Sequence, residues 1–436
     1  MLMHSSAVTS HAHAPARAAV LTHGTMQLIV TLVFGLVIPI IAYGLVFPSA
    51  VRINSVAQFT IAFSSTATIV AVILLTRMIR YPGVSHAGTI FPAFGSAYGI
   101  VLAALLLLRE PYSNALLILC FSGSVAVQFA IAALSKQSTN PTHYVVPGGR
   151  ASAISNLRGC KSHIWPSPES PLPRGALIVA DLHFDHADAW ERRLAEAALD
   201  GVPIFHYKQV FEAQTGRVQI DHLSENVLGA LIPSSSYHGV KRTVDLIGAL
   251  IALPLLAPLF LVAAVAIKLD SRGPVFFQQE RVGFRTRRFK VLKFRTMRPP
   301  RDAGDDNSRD VHAAMTVGGD ERITRVGRWL RRTRIDELPQ IWNIFRGDMS
   351  WIGPRPEALS LSEWYANEIP FYAYRHIVRP GISGWAQVNQ GHVTDLEDIH
   401  TKLQYDFFYV KHFSYWIDII IVVRTLAVVF NGFGAK

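Results

Sequence analysis

An acidic pair, Asp336 and Glu337, directly follows a stretch of closely spaced arginines. Four of these arginines recur at every third residue and would form a drifting stripe of guanidinium groups on a helix: Arg322, Arg325, Arg328 and Arg331. Guanidinium groups bind phosphates in a bidentate manner, and carboxylates beside them can stay ionised, attack phosphorus or hold Mg²⁺. The pattern therefore indicates a diphosphate substrate or lipid headgroups, with an ordinary ion pair at the end of a solvated basic helix as the structural alternative.

Two further segments combine rigid backbone with polar side chains. GDMSWIGPRP at 347–356 holds Arg355 between two prolines, whose fixed φ reduces the ordering needed to aim that side chain. RPGISGWAQVN at 379–389 has glycines that permit a close backbone approach, and Trp385, Gln387 and Asn389 offer a stacking face and amide hydrogen bonds. A rigid turn and a tryptophan packed beside a turn are the structural alternatives.

The elements that must position these residues are those of a membrane protein. Only 17% of the 436 residues are charged, whereas soluble domains have about 25%, which argues against a wholly soluble enzyme. The formal net charge of +11 favours lipid headgroups or phosphorylated substrates as partners, with nucleic acid as a third possibility.

Four stretches contain no Asp, Glu, Lys or Arg, and each is long enough to cross about 30 Å of hydrocarbon as a helix: 18–51, 53–76, 81–108 and 111–135. By the positive-inside rule, the basic residues around them predict a cytoplasmic N-terminus and a cytoplasmic exit after four spans.

A fifth uncharged stretch, 246–267, contains Pro254 and Pro258 and has basic residues on both flanks. A spanning helix would put one basic flank on the wrong side of the membrane. A helix broken by proline that enters and leaves by the same face satisfies both flanks. We therefore predict a re-entrant helix, with an ordinary span kinked by its prolines as the alternative.

The remaining organisation follows from changes in composition. Residues 1–24 read as a disordered tail, 25–135 as four transmembrane helices and 136–174 as a linker rich in Ser, Pro and Gly. Residues 175–235 read as a small Rossmann-like α/β module, with strands at 175–180 and 202–206 and a helix at 187–198. The module lacks G-x-G-x-x-G, so no nucleotide is assigned to it. Residues 236–436 form the catalytic domain.

Several polar residues follow the first strand of the module: Asp181, His183, Asp185, His186 and Asp188. A polar turn that caps the next helix explains them, and a metal site is the alternative. Cys120 and Cys160 are the only cysteines, so a disulfide framework or a cysteine-rich metal site is not expected.

Five motifs together resemble the bacterial sugar transferases, the monotopic phosphoglycosyl transferases that begin polyprenyl-linked glycan synthesis. They are KRTVD at 241–245, KFRTM at 293–297, RIDELPQIWN at 334–343, GDMSWIGPRP at 347–356 and RPGISGWAQVN at 379–389. The four-span front end and the α/β module resemble the large members of that family, the galactose- or glucose-phosphate transferases. The resemblance implies a mainly α catalytic domain with a re-entrant membrane helix.

The resemblance also implies roles for individual residues. Asp336 would be the nucleophile and Glu337 its partner and a Mg²⁺ ligand. Basic family positions around the phosphates correspond to Lys293, Arg331 and Arg355. The helix would break at Pro258, with Arg242 and Asp245 at the membrane entrance and Ala257 in place of the serine common in small members. Substrate binding is assigned to Trp385, Gln387, Asn389 and Asp406, the last being an acidic family position without a derived role.

The expected activity is transfer of a hexose-1-phosphate from a UDP-sugar to undecaprenyl phosphate, with release of UMP, through a covalent aspartyl phosphosugar intermediate. This reaction would initiate exopolysaccharide or O-antigen repeat-unit synthesis at the cytoplasmic face of the bacterial inner membrane. The expected partners are the UDP-sugar, undecaprenyl phosphate and the lipid bilayer, with a homodimer left open and no nucleic acid. A non-catalytic scaffold that binds anionic lipid is the alternative, although acidic residues weaken a lipid-binding surface.

Overall fold

The computed structural model describes residues 24–48, 55–79, 86–136, 142–157, 160–173, 176–219, 235–298, 322–390 and 396–431. Of the predicted tail, 1–24, residues 1–23 lie outside these ranges. The chain divides into two compact units, Met1–Thr215 and Gly216–Lys436. The second unit contains all five motifs.

Apolar helices dominate the start of the first unit. They are α1 (Gly24–Leu32), a π-helical turn (Val33–Val37), α2 (Ile38–Val46), α3 (Ser55–Met78), α4 (His86–Leu108) and α5 (Asn114–Lys136). Polar side chains point inward and pair there: Gln128 donates to Thr31 at 2.8 Å, and the hydroxyls of Thr68 and Tyr98 lie 2.8 Å apart. Large apolar side chains such as Leu107 point outward. This inverted distribution suits a hydrocarbon surrounding, where polar groups must be satisfied inside the bundle.

Five helices in the described ranges are long and apolar enough to cross a membrane, judged by length and composition: Gly24–Val46, Val56–Met78, His86–Leu108, Asn114–Leu134 and Tyr237–Asp270. The prediction of several candidate membrane helices near the N-terminus is therefore confirmed. The exact number of spans stays a prediction.

The α/β module contains a four-stranded parallel sheet with the strand order β2-β1-β3-β4. Its elements are β1 (His143–Val145), β2 (Ser162–Ile164), β3 (Leu177–Ala180), α6 (Asp188–Leu199), β4 (Ile204–His206) and α7 (Tyr207–Thr215). The predicted β3–α6–β4 unit is confirmed. However, β1 and β2 lie within 136–174, where the sequence predicts a linker. Strands of three residues are too short to produce a visible period of two, and this explains the difference.

The second unit is mainly helical and is built around a long helix, α8 (Ser235–Asp270). It continues with the antiparallel hairpin β5–β6 (Phe276–Val282, Arg288–Phe294), α9 (Arg325–Arg332), a 3₁₀ helix (Ile335–Gln340), α10 (Ile341–Arg346) and β7 (Ser350–Ile352). The remaining elements are α11 (Leu359–Glu368), a second 3₁₀ helix (Tyr372–Ile377), β8 (Gly381–Ser383), α12 (Trp385–Asn389), α13 (Leu396–Lys411) and α14 (Tyr415–Asn431). Strand β8 pairs in parallel with β7.

Helix α8 runs through both of its prolines, whereas the sequence predicts a break at Pro258. Both halves of the helix pack on the same unit. Ala249 in the first half belongs to a core with Val291 and Met349, whereas Ile267 in the second half packs in a core with Leu330. The two ends of α8 are therefore fastened to one body.

Candidate functional site

The acidic pair lies on the 3₁₀ helix Ile335–Gln340, which joins α9 to α10. The chain changes direction at Arg334, whose φ of 57° lies in the left-handed region that non-glycine residues rarely adopt. Such strained backbone clusters at functional sites because the surrounding structure must hold it in place. The turn leaves Glu337 buried and Asp336 partly exposed.

Two cations hold Glu337. Lys293 Nζ donates to Glu337 Oε1 at 3.1 Å, and Arg355 donates to the same oxygen and, at 3.3 Å, to Oε2. Burial raises the pKa of Glu337, but the charges of Arg355 and Lys293 outweigh this effect and hold the pKa below its usual range. Glu337 is therefore ionised, and its charge fixes Lys293 and Arg355 beside its neighbour Asp336.

Asp336 differs from Glu337 in its surroundings. It accepts no hydrogen bond from any residue within the described ranges. Burial and the negative charge of Glu337 raise the pKa of Asp336 to about 6, against the opposing effect of the nearby Lys293, Arg331 and Arg355. Within the described ranges no hydrogen bond occupies its oxygens, and a carboxyl with this pKa is ionised at neutral pH. This is the state that a nucleophile requires.

The cations around Asp336 are held by neighbouring groups. Arg331 Nε donates to Thr296 Oγ1 at 2.9 Å, so this guanidinium is braced against the end of β6. Gly327 lies against the backbone of Thr296, where any side chain would collide. Because glycine has no side chain, α9 can come close to the segment that follows β6. Lys293 itself lies on β6. The predicted phosphate-binding residues Lys293, Arg331 and Arg355 are thus brought together around the acidic pair.

Asn343 was not among the residues singled out in the sequence, yet it fixes β6 against α10. Its side-chain oxygen accepts from Leu292 N at 2.9 Å, and its nitrogen donates to Lys290 O at 2.7 Å. The Asn343 amide thus satisfies the main-chain N–H and C=O groups on either side of Val291, as the backbone of a paired strand would. Its place among the apolar residues 341–345 is the sequence signal that could have identified it, since an amide in an apolar stretch is buried and must find partners.

Asp406 lies in the interior, with 1% of its surface exposed. Arg375 N-η2 lies 2.8 Å from Asp406 Oδ2 and donates to the main-chain oxygen of Arg355 at 2.8 Å. The sequence assigns Asp406 to substrate binding. The structure instead buries it as the partner of Arg375, which in turn holds the backbone that aims Arg355.

The three residues of the RPGISGWAQVN motif are turned toward the protein as well. The Trp385 ring is 1% exposed, stacks on Phe408 and lies under Arg424. Gln387 donates to Ile382 O at 2.9 Å, and Asn389 donates to Trp385 O at 2.7 Å. The predicted stacking face of Trp385 is therefore occupied from within the protein. The geometry favours a packed tryptophan over substrate binding at this motif.

The residues predicted at the membrane entrance fasten α8 to the catalytic body. Arg242 donates to the carbonyls of Ile344 and Phe345 at 2.6 and 2.9 Å, capping the end of α10. Asp245 Oδ1 accepts from Ser350 Oγ at 3.0 Å and from Trp351 N at 3.2 Å. Pro258, by contrast, is exposed on α8. The first half of α8 is thereby held at a fixed angle to the site.

The residues present do not fit a Mg²⁺ ion held on Glu337. Both of its oxygens already contact cationic nitrogens of Lys293 and Arg355. A divalent ion at this position would have to displace them against a strong charge repulsion. We therefore assign no step of the reaction to a metal on Glu337.

A second group of potential ligands lies in the α/β module, where one atom each of Asp181, His183 and His206 lies within 4.8 Å of the others. His206 ends the strand next to β3, so it could have been inferred from the register of two parallel strands. Its Nδ1 accepts from Lys208 N at 3.1 Å, which places the ring proton on Nε2, 3.0 Å from His183 Nδ1. In this arrangement the ring nitrogens of His206 and His183 bond to each other, which favours a hydrogen-bond network over a metal site.

The polar turn after β3 also differs in detail from its prediction. The N-cap of α6 is Ala187, without a side-chain hydrogen bond. Asp181 instead closes two loops, accepting from Arg150 N at 2.9 Å and from His183 N at 3.2 Å. Asp185 and Asp188 lie exposed and His186 is buried, where its Nε2 lies 3.0 Å from Asp181 O.

An ionisable carboxylate beside three cations, on a unit packed against a long apolar helix, is a typical arrangement for an enzyme that acts on phosphate groups at a membrane. The chain belongs to the bacterial sugar transferase family, whose model matches residues 236–432. It is 42% identical over 388 residues to a UDP-N-acetylgalactosamine-undecaprenyl-phosphate N-acetylgalactosaminephosphotransferase of Aeromonas hydrophila, covering 89% of each chain.

Two further relatives each match about half of this chain. A UDP-glucose:undecaprenyl-phosphate glucose-1-phosphate transferase of Xanthomonas campestris pv. campestris is 42% identical over 214 residues, which are 49% of this chain and 42% of the relative. A transferase of the same name from Escherichia coli (strain K12) is 42% identical over 199 residues, 45% of this chain and 41% of the relative. Family membership and the class of transferase are thereby established.

Proposed function

We propose that this protein transfers a sugar 1-phosphate from a UDP-sugar to undecaprenyl phosphate and releases UMP. The observation that carries the proposal is Asp336, an ionisable carboxylate without a hydrogen bond in the described ranges, beside Lys293, Arg331 and Arg355. The substrate classes come from the three relatives named above, each of which is a transferase that acts on undecaprenyl phosphate.

The reaction proceeds in two displacements on phosphorus. A carboxylate oxygen of Asp336 attacks the phosphorus that bears the sugar, and the bond from that phosphorus to the bridging oxygen breaks. UMP leaves with both electrons of that bond, and an acyl phosphosugar remains on Asp336. A phosphate oxygen of undecaprenyl phosphate then attacks the same phosphorus, which frees the carboxylate and forms the undecaprenyl diphosphate sugar.

The neighbouring cations stabilise the charge that moves during both displacements. Lys293 and Arg355 are held by Glu337, and Arg331 is held by Thr296, so their positions need little rearrangement when the substrate binds. The diphosphate and the acceptor phosphate would each bring negative charge next to Asp336. Three fixed cations offset that repulsion, which explains why a carboxylate can act as the nucleophile here.

The proposal places the catalytic unit at the cytoplasmic face of the bacterial inner membrane, with α8 entering and leaving by that face. A straight helix of 36 residues would be about 54 Å long, enough to separate its two ends by a bilayer, so re-entry requires α8 to bend at its prolines. Support for re-entry comes from Arg242 and Ile267, which contact the same unit from opposite halves of the helix. The product would begin a polysaccharide repeat unit.

Topology can be tested with single cysteines at Gly239 and Arg272, both exposed, in a background without Cys120 and Cys160. We expect an impermeant thiol reagent to leave both positions unmodified in intact cells and to modify both once the inner membrane is opened. Reaction of only one of the two in intact cells would contradict re-entry.

The decisive experiment combines UMP release with mass spectrometry of the protein. Purified full-length protein is incubated with a panel of UDP-hexoses and UDP-N-acetylhexosamines, without acceptor, and the adduct is mapped to a peptide. We expect one sugar phosphate on Asp336 and a loss of several orders of magnitude in turnover for Asp336→Asn. Glu363→Gln, which removes an exposed carboxylate paired with Arg288, is the matched control and should keep its activity. An adduct on another residue would refute the assignment.

A further inference from the structure

An apolar groove lies between the second half of α8 and the arginine-bearing helix α9. It has a volume of about 330 Å³ and is lined mainly by Leu259, Val262 and Ala266 of α8 and by Val326, Trp329 and Leu330 of α9. Trp329 is 55% exposed and Val262 is 66% exposed, so the groove is open along its length to whatever surrounds the two helices. Its size suits a short stretch of apolar chain.

The groove adjoins the candidate active site through α9 itself. Val326, Trp329 and Leu330 have the i, i+3, i+4 spacing of one helix face. The next residue, Arg331, is braced by Thr296 and acts electrostatically on Asp336. Arg325 also lines the groove. One short helix therefore presents an apolar face and, at its end, a cation directed at the reacting carboxylate.

We propose that this groove binds the phosphate-proximal isoprenoid units of the acceptor lipid, an inference that rests on the proposed function. The acceptor joins a single anionic phosphate to an apolar chain, and the same helix carries Arg325 in the lining of the groove and, directly after Leu330, Arg331, whose charge acts on Asp336. A chain seated along α9 brings its phosphate to the aspartyl phosphosugar, whereas the remainder of the lipid lies in the bilayer. Lipid binding here selects the second substrate and takes no part in the reaction of the first.

The test fills or opens the groove and measures the two half-reactions separately. Ala266→Phe places a ring in the groove, and Trp329→Ala removes one wall. We expect the KM for undecaprenyl phosphate to rise about tenfold or more in both variants, as for other changes of apolar substrate pockets. The acceptor-independent burst of UMP should stay at the wild-type level. Val265→Phe is the matched control, because Val265 adjoins Ala266, is 52% exposed and does not line the groove.

Chain length distinguishes the acceptor from ordinary phospholipid as the occupant. With citronellyl phosphate, whose short chain fills little of the groove, we expect the two variants to differ from wild type by a much smaller factor. An equal effect on both acceptors, or an unchanged KM in both folded variants, would overturn the proposal. If one variant fails to fold in a thermal-unfolding assay, the other decides. Failure of the proposed function itself would look different, because the wild type would then release no UMP from any UDP-sugar.

Discussion

Replacing Asp336 by asparagine is expected to stabilise the folded protein at pH 8 while abolishing turnover. The wild-type carboxylate is ionised at this pH, partly buried and adjacent to the ionised Glu337, and it has no hydrogen bond in the described ranges. Asparagine has nearly the same shape without the charge. The destabilising interactions of the ionised form therefore disappear.

The size of the effect follows from the pKa. Asp336 has a pKa of about 6 instead of 3.8, and this difference corresponds to at most about 3 kcal/mol at pH 8, since water at a partly exposed carboxylate screens part of it. Because the pKa of Asp336 is raised in the folded state, its carboxyl contributes to the stability of the protein below pH 3.8. This contribution is lost as the pH rises through about 6, where the carboxyl ionises. The advantage of the asparagine variant should therefore be complete at pH 8 and about half as large at pH 5.

Thermal unfolding of the full-length protein in detergent at pH 5 and pH 8 measures this difference. For a domain of this size we expect Tm to rise by up to about 6 to 12 °C at pH 8. Glu363→Gln, on an exposed pair with Arg288, should leave Tm unchanged at both pH values. An Asp336→Asn variant with wild-type Tm at pH 8, or with an increase that does not shrink at pH 5, would refute the account of Asp336 as a destabilised nucleophile.

Other predictions concern the groups around Asp336. The kcat/KM for the UDP-sugar should fall about tenfold per pH unit below a pH of about 6, in initial-rate measurements of UMP release, because Asp336 must be ionised. Glu337→Gln should shift this acid limb to lower pH, since it removes a negative charge beside Asp336, and should leave any Mg²⁺ dependence of the rate unchanged. Arg355→Lys loses the contact with both oxygens of Glu337, and we expect a loss of about 10²-fold in kcat under saturating UDP-sugar. Asp406→Asn removes a buried carboxylate next to Arg375, which keeps Glu357 at 3.8 Å, and should lower the free energy of unfolding by about 1 to 3 kcal/mol in denaturant titrations.

The acidic pair and its cations could be predicted from sequence because they depend on residue types and short spacings. Asp336 and Glu337 are adjacent, and Arg331 lies close before them in the chain. The helices of the front end were predictable for a similar reason, since a long uncharged stretch needs no knowledge of its partners. Family resemblance added Lys293 and Arg355, which are distant in the chain.

Whether a given side chain is buried in the protein or open to substrate could not be predicted in this way. Trp385 and Asp406 carry side chains that suit substrate binding, and their burial depends on Phe408 and Arg375, which reach them through the tertiary fold. The strands β1 and β2 escaped detection because three residues carry no measurable period. For Trp385 and Asp406, burial depends on contacts with residues that are distant in the chain, which residue type and spacing do not reveal.

Helix α14 shows how the catalytic unit can rest on a bilayer without spanning it. Its polar residues point inward: Asp418 pairs with Lys241 of α8 and accepts from Tyr409, and Arg424 lies over Trp385 and donates to Asn389. Its apolar residues Val422 and Leu426 are exposed. An amphipathic helix that buries its charges and exposes its apolar face is stable only against an apolar surrounding, so α14 and α8 together favour a position of the acidic pair at headgroup depth. At that depth the two substrates of the proposed reaction, a water-soluble nucleotide sugar and a lipid phosphate, could both reach Asp336, whereas a site away from the interface would be open to only one of them.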